Sequence, residues 1–533
     1  MICIGFREFV LIGLLSLSSC TGYGPFRTEV DNCSSISLGR ENDELAHHDQ
    51  KSVLCLHQTH MMAASFAGQD AGRGYPAYPN QFDLSFIEIG SPIPGNIKDR
   101  QMAALIKSLE SKKQNYVLVF IHGLAHNAAV GDSDVRKLRT LVAYSRSFLN
   151  TRCVEYGRYC DANVTGVFVG WRGRNIQAVS GSDLLSTGLL ALSFWDRKRE
   201  SERLKSEVLL KLKTISKSLK PRPGDFSSNK MIVLGHSLGG NMLAYALRDQ
   251  IKNKLEKHPF GQYFQAPLGD LVVLMNPASE AYNWTSLQEK IAKRVGRNIV
   301  HEGKVPSDRF EEFFAKDQRP NYISLTAACD WSADELVKEA AKTGKIECDL
   351  ETSKFFPMGQ AAALKWSPEQ NRAIGHLDPE YVQIENRTDL KPGTRRVGTT
   401  HEFIVNEGAG IGTGFANAAS PELSQCDVAD GWLTKAIERG SRRRHWDSYF
   451  NDGVKDNILW VSRKKGYFGQ FRHGLSLSGF GPMGLPSISP ASSPFWNVRA
   501  FHSAMEKHGN YVGYPLWCSI NQLVLDDVVL KSR

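Results

Sequence analysis

Ser237 stands in Gly235-His236-Ser237-Leu238-Gly239, a spacing that can turn a serine hydroxyl into a nucleophile. Such a hydroxyl needs a base to take its proton, and acyl transfer needs donors for the oxyanion that develops. The residues before it, Met231 to Leu234, form a short apolar run that reads as a buried strand, and Asn241 to Leu247 read as a helix. A serine on so sharp a strand-to-helix turn is held in a strained backbone conformation with its hydroxyl above the sheet. The first N–H groups of the following helix point towards it and favour negative charge there. A side chain at position 235 or 239 would collide with the neighbouring strand or helix, so glycine fits both.

A scaffold that positions this turn is legible on either side of it. Phe82 to Ile89 alternates as a strand, and Met102, Leu105, Ile106 and Leu109 recur with the spacing of one helix face. Tyr116 to Ile121 is a fully apolar strand that runs directly into His122-Gly123-Leu124-Ala125-His126-Asn127-Ala128. Val164 to Trp171 reads as the next strand, and Leu204, Val208, Leu212, Ile215 and Leu219 mark a helix leading back to the Ser237 strand. Asp270 to Met275 and Tyr322 to Ala328 follow as strands, the second ending at Cys329-Asp330-Trp331-Ser332-Ala333-Asp334. Strand and helix in alternation predict an α/β protein with a doubly wound, mostly parallel sheet.

With these residues in place, the chain resembles the α/β-hydrolase fold serine hydrolases. More narrowly, His122-Gly123 with Asn127-Ala128, Gly170-Trp171-Arg172-Gly173 and Phe194-Trp195-Asp196-Arg197-Lys198 are similar to a poorly characterised group of bacterial α/β-hydrolases. The resemblance is specific over roughly residues 116 to 280 and weaker beyond. It implies an oxyanion hole made by the backbone N–H groups of Leu124 and Leu238, with no proton transfer assigned to His122. It also implies the chain order Ser, acid, His. Asp330, just after a late strand, is the expected acid, with Asp334 and Glu280 as alternatives. Phe495 to Ala500 reads as the final sheet strand, and Trp517, Ile520, Leu523 and Val524 as a terminal helix. His508, in Met505-Glu506-Lys507-His508-Gly509-Asn510, lies between them and is the expected base, with His502 and His401 as rivals. Arg172 and Arg174 read as structural ion-pair partners of Asp183 or Asp196 in preference to a substrate anion site.

The expected reaction is cleavage of carboxyl or lipid esters through an acyl-enzyme, with no cofactor and no metal. A peptide or amide hydrolase is the second choice. From another class, the alternative is a non-catalytic envelope lipoprotein that uses the scaffold for binding.

The chain begins with an apolar core, Phe9 to Leu17, too short to span a bilayer, which ends in Leu17-Ser18-Ser19-Cys20. This resembles the lipobox of bacterial lipoproteins and implies acylation of Cys20, although Glu8 beside Arg7 weakens the leading charge. The expected location is the bacterial cell envelope, with the protein tethered to a membrane and facing the periplasm or the exterior. Of 10 cysteines, leaving out Cys3 and Cys20 leaves eight, an even number that suits disulfides in an exported chain. Eight cysteines allow 105 pairings, which the sequence leaves open; the simplest, between neighbours, is Cys33–Cys55, Cys153–Cys160 and Cys329–Cys348, leaving Cys426 with Cys518.

The 533 residues, 41% hydrophobic and 23% charged, suit a globular protein. The net charge of +9 is dispersed apart from Arg442-Arg443-Arg444, which no aromatic pattern accompanies, so no nucleic-acid partner is expected. The domain reading is a signal over 1–20, a tether and surface segment over 21–80, a hydrolase core over 81–331, a large cap insertion over 332–494, and core completion over 495–533 with the base and terminal helix. Within the insertion, His473 to Pro486 reads as an apolar loop beside the site, either a lid or a packed cover.

Overall fold

The computed structural model describes residues 25–28, 36–37, 55–61, 81–91, 93–129, 132–156, 159–173, 196–220, 229–280, 282–294, 313–315, 318–327, 401–406, 458–466, 469–476, 494–500, 505, 509, 511–512, 516–517, 520–521 and 523–525. The protein is α/β, built on a 12-stranded sheet that begins at one side with β1 (Ile36–Ser37) and runs in the order β1-β2-β3-β5-β4-β6-β7-β8-β12-β9-β11-β10. Its centre is made of β3 (Gln81–Glu88), β4 (Asn115–Ile121), β5 (Asn163–Gly170), β6 (Lys230–His236), β7 (Leu271–Met275), β8 (Tyr322–Ala327) and β12 (Phe495–Ala500). All of these pair in parallel. A parallel centre is covered on both faces, which is why β4, β6 and β7 are apolar almost throughout and buried at every position.

Two apolar layers sit on the two faces. One joins β3, β4 and β6 side chains such as Phe86, Phe120 and Leu234 to α2 (Ser133–Tyr156) and to Trp517 and Ile520 of the terminal helical segment. The other joins Val119, Val169 and Val233 to α1 (Gly95–Glu110), α3 (Lys205–Ser218), α4 (Leu238–Glu256) and α5 (Tyr282–Arg294). The apolar spacing read for α1 and α3 is the buried stripe of each, with Met102, Leu105 and Leu109 inside one and Val208, Leu212 and Ile215 inside the other.

Three features differ from the sequence expectation. The alternation of β3 does not mark a solvent face: every residue after Gln81 is buried, and β2 (His57–Met61) and β5 pair with the strand on its two sides. Thr59 Oγ1 donates to Asp83 at 2.8 Å, and His57 Nδ1 and Ser85 Oγ lie 2.7 Å apart, so the buried polar groups are satisfied. Within 21–80, read as tether and surface, β2 is a sheet strand and Cys55 and Arg27 are buried. From the stretch read as a cap, β9 (His401–Asn406) pairs in parallel with β12, and β11 (Gly469–Ser476) and β10 (Ile458–Gly466) continue the sheet antiparallel. The segment beginning at His473 is thus strand as far as Ser476, and 477–486 lie outside the described residues.

Cys153 and Cys160 form the expected disulfide. The loop it closes is held by the buried Arg146, whose guanidinium donates to the carbonyls of Ala162 and Tyr159 at 2.5 and 3.4 Å. Cys55 is also disulfide-bonded, while Cys33, Cys329, Cys348, Cys426 and Cys518 are outside the described residues. Among the described residues no helix is long and apolar enough to cross a membrane.

Candidate active site

Parallel strands bring their C-terminal ends to one edge, and the sequence-selected turns gather there. Ile121, the last residue of β4, is in register with Gly235 on one side and Val169 on the other. Ser237 follows β6 with φ 53° and ψ −118°, outside the comfortable region for a residue with a side chain. Its backbone is held on three sides. Ser237 N–H donates to Met275 O at 3.0 Å, and Ser237 O accepts from Asn241 N–H and Ala278 N–H, both at 3.0 Å.

The two glycines of the turn are there for space. A methyl group on Gly235 would lie 2.8 Å from Gly239 O at the start of α4, and one on Gly239 would strike the carbonyl oxygens of Ile121 and His122. Leu238 is the first residue of α4, so its N–H has no acceptor within the helix. Across from it, Gly123 approaches so closely that a Cβ on it would stand 2.9 Å from Ser237 Cβ. Leu124, half-buried, carries the next backbone N–H.

The loop after β4 is braced from β5. Ala125, itself at φ 68°, donates from its N–H to Gly173 O at 2.9 Å. His122 is fully buried, stacked against Phe168 and Trp171 with ring centroids 5.3 and 5.5 Å away. Trp171 N–H donates to His122 Nε2 at 3.0 Å, which requires the proton on Nδ1, 2.8 Å from Gly123 O. Trp171 Nε1–H in turn donates to His122 O at 2.8 Å. Burial lowers the imidazole pKa to about 4, so this ring is neutral near pH 7 and structural.

Beneath the turn lies a cluster that sequence reading missed. Asp134, at the start of α2 and fully buried, accepts from Tyr511 OH at 2.9 Å and from Lys137 Nζ at 3.0 Å. His126 Nε2 lies 3.5 Å from the same carboxylate, and His236 Nδ1 3.7 Å. The Tyr511 ring sits 4.5 Å from the His236 ring. Burial works against the Asp134 charge, but the His236 contact and the charges of His126, His236 and Lys137 outweigh it and hold the carboxyl well below the usual range. Asp132 caps α2, accepting from Asp134 N–H at 2.8 Å, and pairs with His126 at 3.1 Å. A sequence signal existed: Asp132-Ser133-Asp134 is a helix start, and Leu138, Leu141, Val142 and Leu149 recur on one face.

Of the residues selected from sequence, Ser237, Leu124 and Leu238 meet at this edge. Asp330, Asp334, His502, His508 and Cys20 lie outside the described residues. β8 ends at Ala327, three residues before Asp330, and the flanks of His508 are described on both sides. Met505 is buried, and a Cβ on Gly509 would lie 3.6 Å from Lys137 Nζ. Glu280 is engaged elsewhere: Lys198 Nζ sits 2.7 Å from its carboxylate and Tyr245 OH donates to it at 3.1 Å. His401 opens β9, with its backbone in register with Val498. Arg197 pairs with Asp196 and donates to Arg172 O at 3.1 Å, while Arg174 and Asp183 lie outside the described residues.

Fold and site together define an α/β protein with a strained serine between strand and helix at the C-terminal edge of a mostly parallel sheet. No family model matches the chain, and neither a curated protein nor a solved structure does.

Proposed function

We propose that the protein is an exported serine hydrolase of the α/β-hydrolase type, tethered through an acylated Cys20 and cleaving carboxyl or lipid esters. The observation that carries this reading is the pairing of Ser237, at φ 53° between β6 and α4, with Gly123 packed against its Cβ. A connection that merely joined a strand to a helix has no need of a strained serine, and a strain of this kind typically costs about 1–3 kcal/mol.

In the proposed reaction Ser237 Oγ attacks the ester carbonyl carbon while His508 takes the hydroxyl proton. Asp330 holds the imidazole in its tautomer and stabilises the imidazolium. The tetrahedral oxyanion is received by the N–H groups of Leu238 and Leu124, each worth about 3 kcal/mol to the transition state. Collapse breaks the acyl–oxygen bond, and His508 returns the proton to the departing alcohol. Water, deprotonated by the same histidine, then releases the acid and regenerates Ser237.

A fluorophosphonate probe tests the reading directly. The expected result is one covalent adduct, on Ser237, that Ser237→Ala abolishes while the fold survives. A folded wild-type protein that takes no label would leave a non-catalytic binding protein as the reading.

A further inference from the structure

The short segment 25–28 is bound at the same edge as Ser237. Glu88, last residue of β3 and 2% exposed, accepts from Phe26 N–H at 3.0 Å and from Arg27 N–H at 3.1 Å. Gln101 Nε2 donates to Arg27 O at 3.0 Å. The Arg27 guanidinium, also 2% exposed, lies 3.8 Å over the Phe86 ring, and its Nε–H donates to Ala128 O at 2.7 Å. Ala128 belongs to the loop that carries Gly123 and Leu124, and Glu88 is in register with Gly170 at the C-terminal edge. A buried carboxylate binding two successive backbone N–H groups, with the guanidinium capping a loop carbonyl, is a clasp with every polar contact satisfied.

We propose that this clasp turns the Ser237 edge of the sheet towards the lipid bilayer, so that the enzyme draws its ester from the membrane surface. The inference rests on Cys20 as the anchor, and its substrate half rests also on Ser237 as the nucleophile. Four residues, Thr21 to Gly24, separate Cys20 from Pro25, so the five chain steps between them span at most about 3.6 Å each, or about 18 Å in all. The 19 residues of α4 run from Ser237 to the opposite edge over about 28 Å. An anchor leaving the clasp therefore cannot reach a bilayer apposed to that far edge. A lipid ester, insoluble in water, is then presented on the side where the nucleophile lies.

The test uses the full-length protein in vesicles that carry an acceptor-labelled lipid. A donor fluorophore is placed through a genetically encoded azide at Ser91, exposed just beyond the clasp, or at Lys257, exposed at the far end of α4. Energy transfer to the lipid should be several-fold stronger from 91 than from 257. Inserting about 20 Gly/Ser residues after Thr21 should bring the ratio close to one, and should slow a vesicle-embedded ester several-fold while sparing a soluble one. Equal or reversed transfer in the native chain would overturn the inference, as would an N-terminal peptide whose mass shows no acyl group. Absence of turnover on either ester would instead remove the hydrolase reading, leaving the fluorescence ratio to decide the orientation.

Discussion

Gly123 and Ser237 touch: a methyl group on the glycine would stand 2.9 Å from Ser237 Cβ and 3.1 Å from His236 Nδ1. Real Cβ atoms essentially never stand as close as the first of these and seldom as close as the second, and neither neighbour is the free end of a flexible chain. Ser237 is fixed by three backbone hydrogen bonds, and His236 is packed against Tyr511. Gly123→Ala must therefore push the loop carrying Leu124 N–H away from the serine. Labelling by a fluorophosphonate should slow by about 100-fold or more, the scale of losing one oxyanion donor. A second-order labelling rate within a factor of three of wild type would contradict that account.

The strain at Ser237 has a stability signature of its own. Alanine at 237 keeps the cost of a positive φ, whereas glycine removes it at the expense of a floppier unfolded chain. Ser237→Gly should be more stable than Ser237→Ala by about 1 kcal/mol, with both inactive. Denaturant titration of the two variants measures the difference directly.

The sheet was legible because its parallel centre is apolar on both faces, and runs such as Tyr116 to Ile121 and Leu271 to Met275 leave little else for the chain to be. The turn at Ser237 was legible because its glycines answer to backbone collisions that any such turn produces. Helix α2 was not read. Its inward face carries Ser145, Arg146 and Asn150, which break the apolar stripe yet are buried and hydrogen-bonded to Asn521, Ala162 and each other. Asp134 and Tyr511 were missed for a related reason. They are 377 residues apart, and nothing in either neighbourhood announces the bond between them. Arg27 and Glu88 likewise look like surface charges in sequence, and only the fold buries the pair.

Acid should weaken the protein in two stages. His122 has its pKa lowered by burial from 6.5 to about 4, so between those values the unfolded chain takes up a proton that the folded one refuses. Its contribution is complete above about pH 6.5 and falls as pH drops towards 4, by at most about 3 kcal/mol. Asp134 is the opposite kind of group, a carboxyl held well below its usual 3.8. Its contribution is complete above that value and is lost only as pH falls further, through the depressed folded value. Denaturant midpoints should decline from pH 7.5 to 5 in wild type and in Asp134→Asn alike, and below pH 4 the decline should be steeper in wild type. A midpoint unchanged from pH 7.5 to 4.5 would contradict the account of His122.

Tyr511 fixes the C-terminal segment beside the turn, with its hydroxyl on Asp134 and its ring against His236. His508 precedes it by three residues, whereas the backbone of His401 is engaged at the start of β9 beside β12. If His508 is the base, His508→Ala leaves Ser237 an unactivated hydroxyl, and turnover of a short activated ester should fall about as far as in Ser237→Ala, since triad members act as a unit. His401→Ala should retain turnover within about a few-fold. Tyr511→Phe leaves the buried Asp134 carboxylate one donor short, a cost of about 1–3 kcal/mol in stability. It should lower kcat by about ten-fold with KM little changed, because it loosens the segment without removing the base. A dead His401→Ala beside a near-normal His508→Ala would move the base into the strands beyond β12, and a Tyr511→Phe enzyme with native kcat would mean that the segment is held in place without that bond.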